Sequence, residues 1–207
     1  MSDANAGRAL PNARVRRLML AIQDVMGQSG LATILRQASL QRFAGALPPA
    51  NNEPGLKAAE YAALMQAIEN YYGRGARGTL TRVGYASFNR LVASRRLSAA
   101  GWRALFRVLP NQTRQVLTLK WLARQMAGRA GRVTVYLDDN HLSLVDHDSD
   151  ATVGRRRETE ICWETVGEIQ EALKWGTGQE YDVNERSCKA KGDAACRFEV
   201  GDPLGWA

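Results

Sequence analysis

The residues best suited to chemistry in this 207-residue chain are Cys162, Glu185, Cys188 and Cys196, which follow one another as C-x22-E-x2-C-x7-C. Thiolate and carboxylate are both zinc donors, and a structural zinc site closes a tetrahedral shell of four such ligands. Glu185 and Cys188 stand three residues apart at the end of one expected strand, and the turn K-A-K-G-D-A-A brings Cys196 back beside them. In that turn Gly192 tolerates a positive φ and Asp193 can bond its own backbone. Cys162 opens an expected helix, where the macrodipole favours a thiolate. Two other readings stand beside the metal cage. Free cysteine is often a plain core residue, and Cys188 could pair with Cys196 across the turn. The odd number of cysteines and the lack of any secretory signature weigh against the disulfide.

Positioning these four side chains requires a helix over 162–174, a strand over 180–188, the turn 189–195 and a strand over 196–200. Cys196, Phe198 and Val200 then share one face of the last strand, with Arg197 and Glu199 on the other. Two further strands are expected upstream, where R-V-T-V-Y-L (132–137) alternates and Asp138-Asp139-Asn140 turns the chain into 141–147. Four antiparallel strands interrupted by one helix make a small sheet.

The first 127 residues read as helix. After a frayed start over 1–10, Val15, Leu18, Met19, Ile22, Val25 and Met26 recur at helical spacing, ending near the glycines 27–30. A second helix over 31–44 leads to the Pro/Gly/Asn-rich loop 45–55. Helices follow over 57–72 and 79–95, a short one from Ser98 carries Trp102, Leu105, Phe106 and Leu109, and Asn111 is placed to cap one ending near 126. Gly84 and Ala86 allow a close helix approach suited to a homodimer.

Enzymatic signatures are thin. The G-R-G-A-R-G run from Gly73 follows a helix where a nucleotide loop needs a strand, so it reads as a connector. No phosphate-loop or nucleophile-elbow motif occurs, no flavin or nicotinamide motif is visible, and a triad has no support. The two histidines, His141 and His147, lie on the expected hairpin, so no helix offers a proximal histidine to haem. Tyr71, Tyr72, Trp102, Phe106, Trp121 and Tyr136 are bulky enough to line an apolar cavity, and His141 is placed to give a ligand a polar contact.

With 45% hydrophobic and 24% charged residues the composition is globular. The +7 net charge is carried mostly by scattered arginines, without a helix-turn-helix or aromatic RNA-binding pattern, which argues against nucleic acid. No run approaches a membrane span, and no signal peptide is visible, so a cytoplasmic location is expected.

The run E-R-S-C-K-A-K-G-D-A-A-C-R-F-E-V, with a cysteine upstream at a helix start, resembles the signature of the 4-vinyl reductase domain family. That family includes proteins named for bacteriochlorophyll vinyl reduction and the aromatic-effector sensing domains of phenol- and xylene-responsive activators. The resemblance covers about the last 45 residues and implies zinc on Cys162, Glu185, Cys188 and Cys196. It also implies an α/β fold of the α+β type, related to TRAPP trafficking subunits, with a hydrophobic pocket beside the metal and a homodimer. The expected organisation is an N-terminal helical extension (1–50) and a 4-vinyl-reductase-like domain (51–207). The function expected is binding of a hydrophobic or aromatic small molecule, as a sensor or a carrier, and any signal would pass through a separate partner. A reductase or accessory role in tetrapyrrole metabolism, or a protein-interaction module, are the alternatives.

Overall fold

The computed structural model describes residues 7–95, 101–102, 105–106, 108–127, 131–139 and 141–205. The short helix expected from Ser98 falls largely outside them, although Trp102 and Phe106 are described in helical backbone.

Two strands occur where the sequence reads as a frayed end and a loop. Ala9–Pro11 (β1) and Pro54–Lys57 (β2) pair antiparallel, with Leu10 opposite Leu56. Both leucines are buried, so tertiary burial rather than local propensity makes this ribbon. Asn12–Gln37 (α1) holds both expected N-terminal helices, divided at Gly27, whose φ of 74° is the left-handed backbone that favours glycine. By length and composition α1 is apolar enough to cross a membrane, which the expectation of no such run missed. Here its stripe of Val15, Leu18, Met19, Ile22, Ile34 and Leu35 is buried, and the helix packs on its neighbours in the manner of a core helix.

Ala58–Tyr72 (α2) starts where the Lys57 N–H donates to the Glu60 carboxylate at 2.8 Å, which satisfies one orphan donor of the first turn. The short 3-10 turn Gly73–Gly75 joins it to Ala76–Ser94 (α3), so the glycine-rich run is an interhelix connector. Asn111–Ala127 (α4) begins at Asn111, whose amide donates to the Tyr181 hydroxyl at 2.8 Å while its Oδ1 has no partner. Asn111 therefore docks the helix onto the sheet instead of capping it.

The sheet is four-stranded and antiparallel throughout. Val133–Asp138 (β3) and His141–Asp146 (β4) form a hairpin, and Trp163–Thr177 (α5) leads into Tyr181–Ser187 (β5) and Cys196–Pro203 (β6), in the order β3-β4-β6-β5. Leu144 pairs with Phe198 and Asp146 with Cys196, and α4 and α5 pack against β3 and β5. Helices on a small antiparallel sheet make an α+β fold with one apolar core that runs from Leu10 to Phe198 and includes the stripe of α1.

The contact between α3 and α5 fixes where the site sits. A methyl added at Gly84 would overlap the backbone of Glu164 and Gly167, and one at Gly167 would overlap Thr81. The two backbones touch because neither glycine has a Cβ. Gly84, read from sequence as part of a dimerisation face, is thus consumed within the chain.

Candidate metal centre

Cys162 is the residue before the first turn of α5, Glu185 lies near the end of β5, Cys188 follows that strand, and Cys196 opens β6. The fold brings one donor atom of each within 4.8 Å of all the others. The three thiols are free and buried, so the disulfide reading fails, and Cys162 Sγ lies 3.7 Å from Cys196 Sγ. The turn between the strands forms as its residues require. Gly192 takes φ 104° and the Asp193 carboxylate accepts the Cys188 N–H at 2.7 Å.

The surroundings of these donors fit a bound cation. Glu185 accepts the Cys162 N–H on one oxygen at 2.8 Å, while its other oxygen, Oε1, is buried without a hydrogen-bond partner. A buried orphan acceptor is costly unless something positive meets it. The Lys189 N–H donates to Cys196 Sγ at 3.4 Å, the backbone support a thiolate needs. Hydrogen bonds from Cys162 and Cys196 hold the Cys188 sulfur far below the usual thiol range. Sharing its proton with Cys188, then with Cys196, raises Cys162 well above it. Burial, then the Cys188 charge, pushes Glu185 up to about 8. One buried negative charge thus suppresses the others, and a divalent ion would allow all four donors to be anionic together. Four protein donors leave no open position for a reacting water, which suits a structural site rather than a hydrolytic one.

The sequence-predicted ligand residues divide into two groups. Trp121 on α4, Phe106 and Trp102 belong to one aromatic cluster, together with Phe88 of α3 and Trp175 of α5. Trp121 and Trp175 stack with centroids 5.5 Å apart. These rings fill one another's space and act as a core between α3, α4 and α5. Phe88 and Trp175 went unread because each looked like one apolar position in a helical stripe. Tyr136 and His141 do not join them. Both are exposed on the hairpin, Tyr136 beneath the Arg197 guanidinium at 5.9 Å, which corrects their expected place in a cavity. Tyr71 is 52% exposed against Tyr72.

Sequence reading also missed a buried ionic hub. Asp150 accepts hydrogen bonds from Arg8, from Arg14 at 2.9 Å and from Arg132 at 2.8 Å, and Arg132 also holds Asp146 at 3.0 Å. Burial pushes the Asp150 carboxyl up, but Arg14, Arg132 and Arg8 outweigh it and hold it below the usual range. No motif marks residues so far apart in the chain.

No family model and no curated protein sequence matches this chain. Among solved structures, an H-NOX protein from S. oneidensis superposes with TM-score 0.56 at 12% identity, over 92% of this chain and 99% of that one. An H-NOX protein from K. algicida gives 0.60 at 11% identity, over 96% and 100%. The phenol-responsive sensory domain of the transcription activator PoxR, solved with phenol, gives 0.50 at 18% identity, over 70% and 74%. At these identities the likeness is one of fold. H-NOX neighbours raise haem as a cofactor, and the two histidines here do not fit the place of its proximal imidazole. His141 is exposed at the head of β4 and His147 just past its end bonds Thr134, so neither histidine is placed among the helices.

Proposed function

We propose that this chain is a zinc-stabilised small-molecule-binding domain, a sensor or carrier for a hydrophobic or aromatic compound rather than an enzyme. The observation that carries the reading is the closed set of Cys162, Glu185, Cys188 and Cys196, in which one oxygen of Glu185 is buried without a hydrogen-bond partner. Zinc suits such a sulfur-rich four-donor shell. Bound there, it would tie the start of α5 to the β5–β6 hairpin and make that corner rigid. The fold neighbours support the binding half of the reading, since they include haem proteins and a phenol-responsive sensory domain. The metal set also supports kinship with 4-vinyl reductase domains, and the three buried thiols suit a reducing, cytoplasmic setting.

Elemental analysis of protein purified without added metal tests the metal half, with about one zinc per chain expected. Cys188→Ser should abolish zinc retention and lower stability by more than about 4 kcal/mol, because metal binding is coupled to folding. A zinc-free protein with an undiminished melting temperature would overturn the reading. For the binding half, a thermal-shift screen of phenols, larger aromatics and porphyrins should give at least one dose-dependent stabilisation.

A further inference from the structure

We propose that a second site, remote in sequence from the cysteines, binds an organic monoanion, a carboxylate on an apolar body, with Arg17 as its anchor. The proposal rests on the small-molecule-binding reading and names the ligand class and the place.

The site is a half-open cavity of about 530 Å³ between the first half of α1, the loop around residues 50–52, the end of α3 and the end of α4. That volume is in the range that takes a ligand of drug size. Its apolar wall is built by Leu20, Leu91 and Met126, and its polar wall by arginines. No acidic side chain lines it among the described residues.

Most of these arginines already have work. Arg14 is held by Asp150, Arg16 donates to the Pro48 carbonyl at 3.0 Å, and Arg90 forms two hydrogen bonds of 2.6 Å with Asp24. Arg95 has partners of its own. Arg17 differs. Its Nε is buried with no hydrogen-bond partner, and no ion pair holds its guanidinium among the described residues. The nearest carboxylates influence it without bonding it. Glu164 is engaged by the Tyr61 hydroxyl at 2.9 Å and Glu168 by the Ser87 hydroxyl at 2.6 Å. Burial pushes the Arg17 guanidinium below its ordinary range, outweighing the pull of Glu168 and Glu164 in the other direction.

An arginine in that condition is costly unless an anion meets it. A carboxylate fits its fork of N–H donors bidentately, and Leu20, Leu91 and Met126 offer the ligand's remainder a dry surface. An inorganic anion would leave that surface uncovered, and a neutral aromatic would leave Arg17 unpaired. The combination selects an amphipathic acid.

Calorimetric titration of the full chain with 4-phenylbutanoate and with octanoate, each beside its own amide, tests this. Both acids should bind, and each amide should bind at least about tenfold more weakly. Arg17→Met should lose the acids by a similar factor while still unfolding cooperatively, because the half-buried side chain is replaced by one of similar length. Ala93→Phe, at an exposed lining position near the end of α3, should block the acids while leaving Arg17 in place. Amides that bind as well as the acids, undiminished binding to Arg17→Met, or failure of both acids to bind would each overturn the proposal. Failure of both acids, with neutral aromatics that bind Arg17→Met and Ala93→Phe as they bind the parent, would sink this site and leave the general binding reading standing. A chain that binds neither acids nor neutral compounds would sink both.

Discussion

Glu185 is the most informative of the four metal donors, since it does two jobs with two oxygens. One orients the Cys162 backbone and the other awaits a positive charge. Glu185→Gln keeps the first role and loses the charge. Zinc affinity, measured by competition with a chelating dye, should then fall by more than about tenfold, beyond the loss of a supporting hydrogen bond. An unchanged affinity would mean that the carboxylate is a bystander. Asp150 makes the complementary case for structure. Asp150→Asn leaves Arg14 and Arg132 buried without their shared anion, and a loss of about 3–5 kcal/mol near neutral pH is expected from denaturant unfolding. Because the Asp150 carboxyl is held below its unfolded value, its contribution is present above that value and fades as pH falls through the folded one. The gap between parent and variant should therefore narrow in strong acid. A gap that stays constant down to acid unfolding would show that Asp150 does not carry it. The cysteines could be read from sequence because they lie on adjacent elements with a turn between two of them. Asp150 could not, since Arg8 and Arg14 stand 142 and 136 positions away.

At the level of elements, periodicity located the long helices because each has one face in the core. It also found the β3–β4 hairpin and the two strands of the metal corner. It could not find the β1–β2 ribbon, whose few residues form strands only because Leu10 and Leu56 are buried together. Nor could it say which partner Gly84 meets. The structure answers that with Gly167, and the answer is testable. Gly167→Ala introduces a methyl where the α3 backbone already lies, so a loss of about 1–3 kcal/mol in thermal or denaturant unfolding is expected, as for other overpacked contacts. The same substitution at Gly78, which has open space around it, should cost far less. Equal effects at the two positions would show that the helix crossing is looser than described. The aromatic residues teach a related lesson. Sequence identified Trp102, Phe106 and Trp121 as large and apolar, but a ring that lines a cavity and a ring that fills one have the same spacing.

At the scale of the whole molecule, α1 bears on the boundary expected at residue 50. Its Met19, Ile22 and Ile34 are fully buried in the core shared with α2, α3 and the sheet. Deletion of residues 1–50 would strip that core and also remove Arg8 and Arg14 from Asp150. We expect the 51–207 fragment to lose cooperative unfolding in calorimetry, whereas a fragment that melts sharply would favour a boundary at residue 50. The ionic hub, the metal corner and the aromatic cluster are far apart in the chain, yet two of them share α5. That helix starts at Cys162, touches α3 at Gly167 and ends beside Trp175 of the aromatic cluster. At 15 residues it is roughly 22 Å long, a single stiff rod. Pinned in its second turn by two backbones in contact and held at its start by the metal donors, it has little freedom to translate. Its far end is closed off as well, because Gly176 lies where a Cβ would overlap Thr118 of α4, so one rod clamped along its length joins the cysteine corner to the tryptophan cluster.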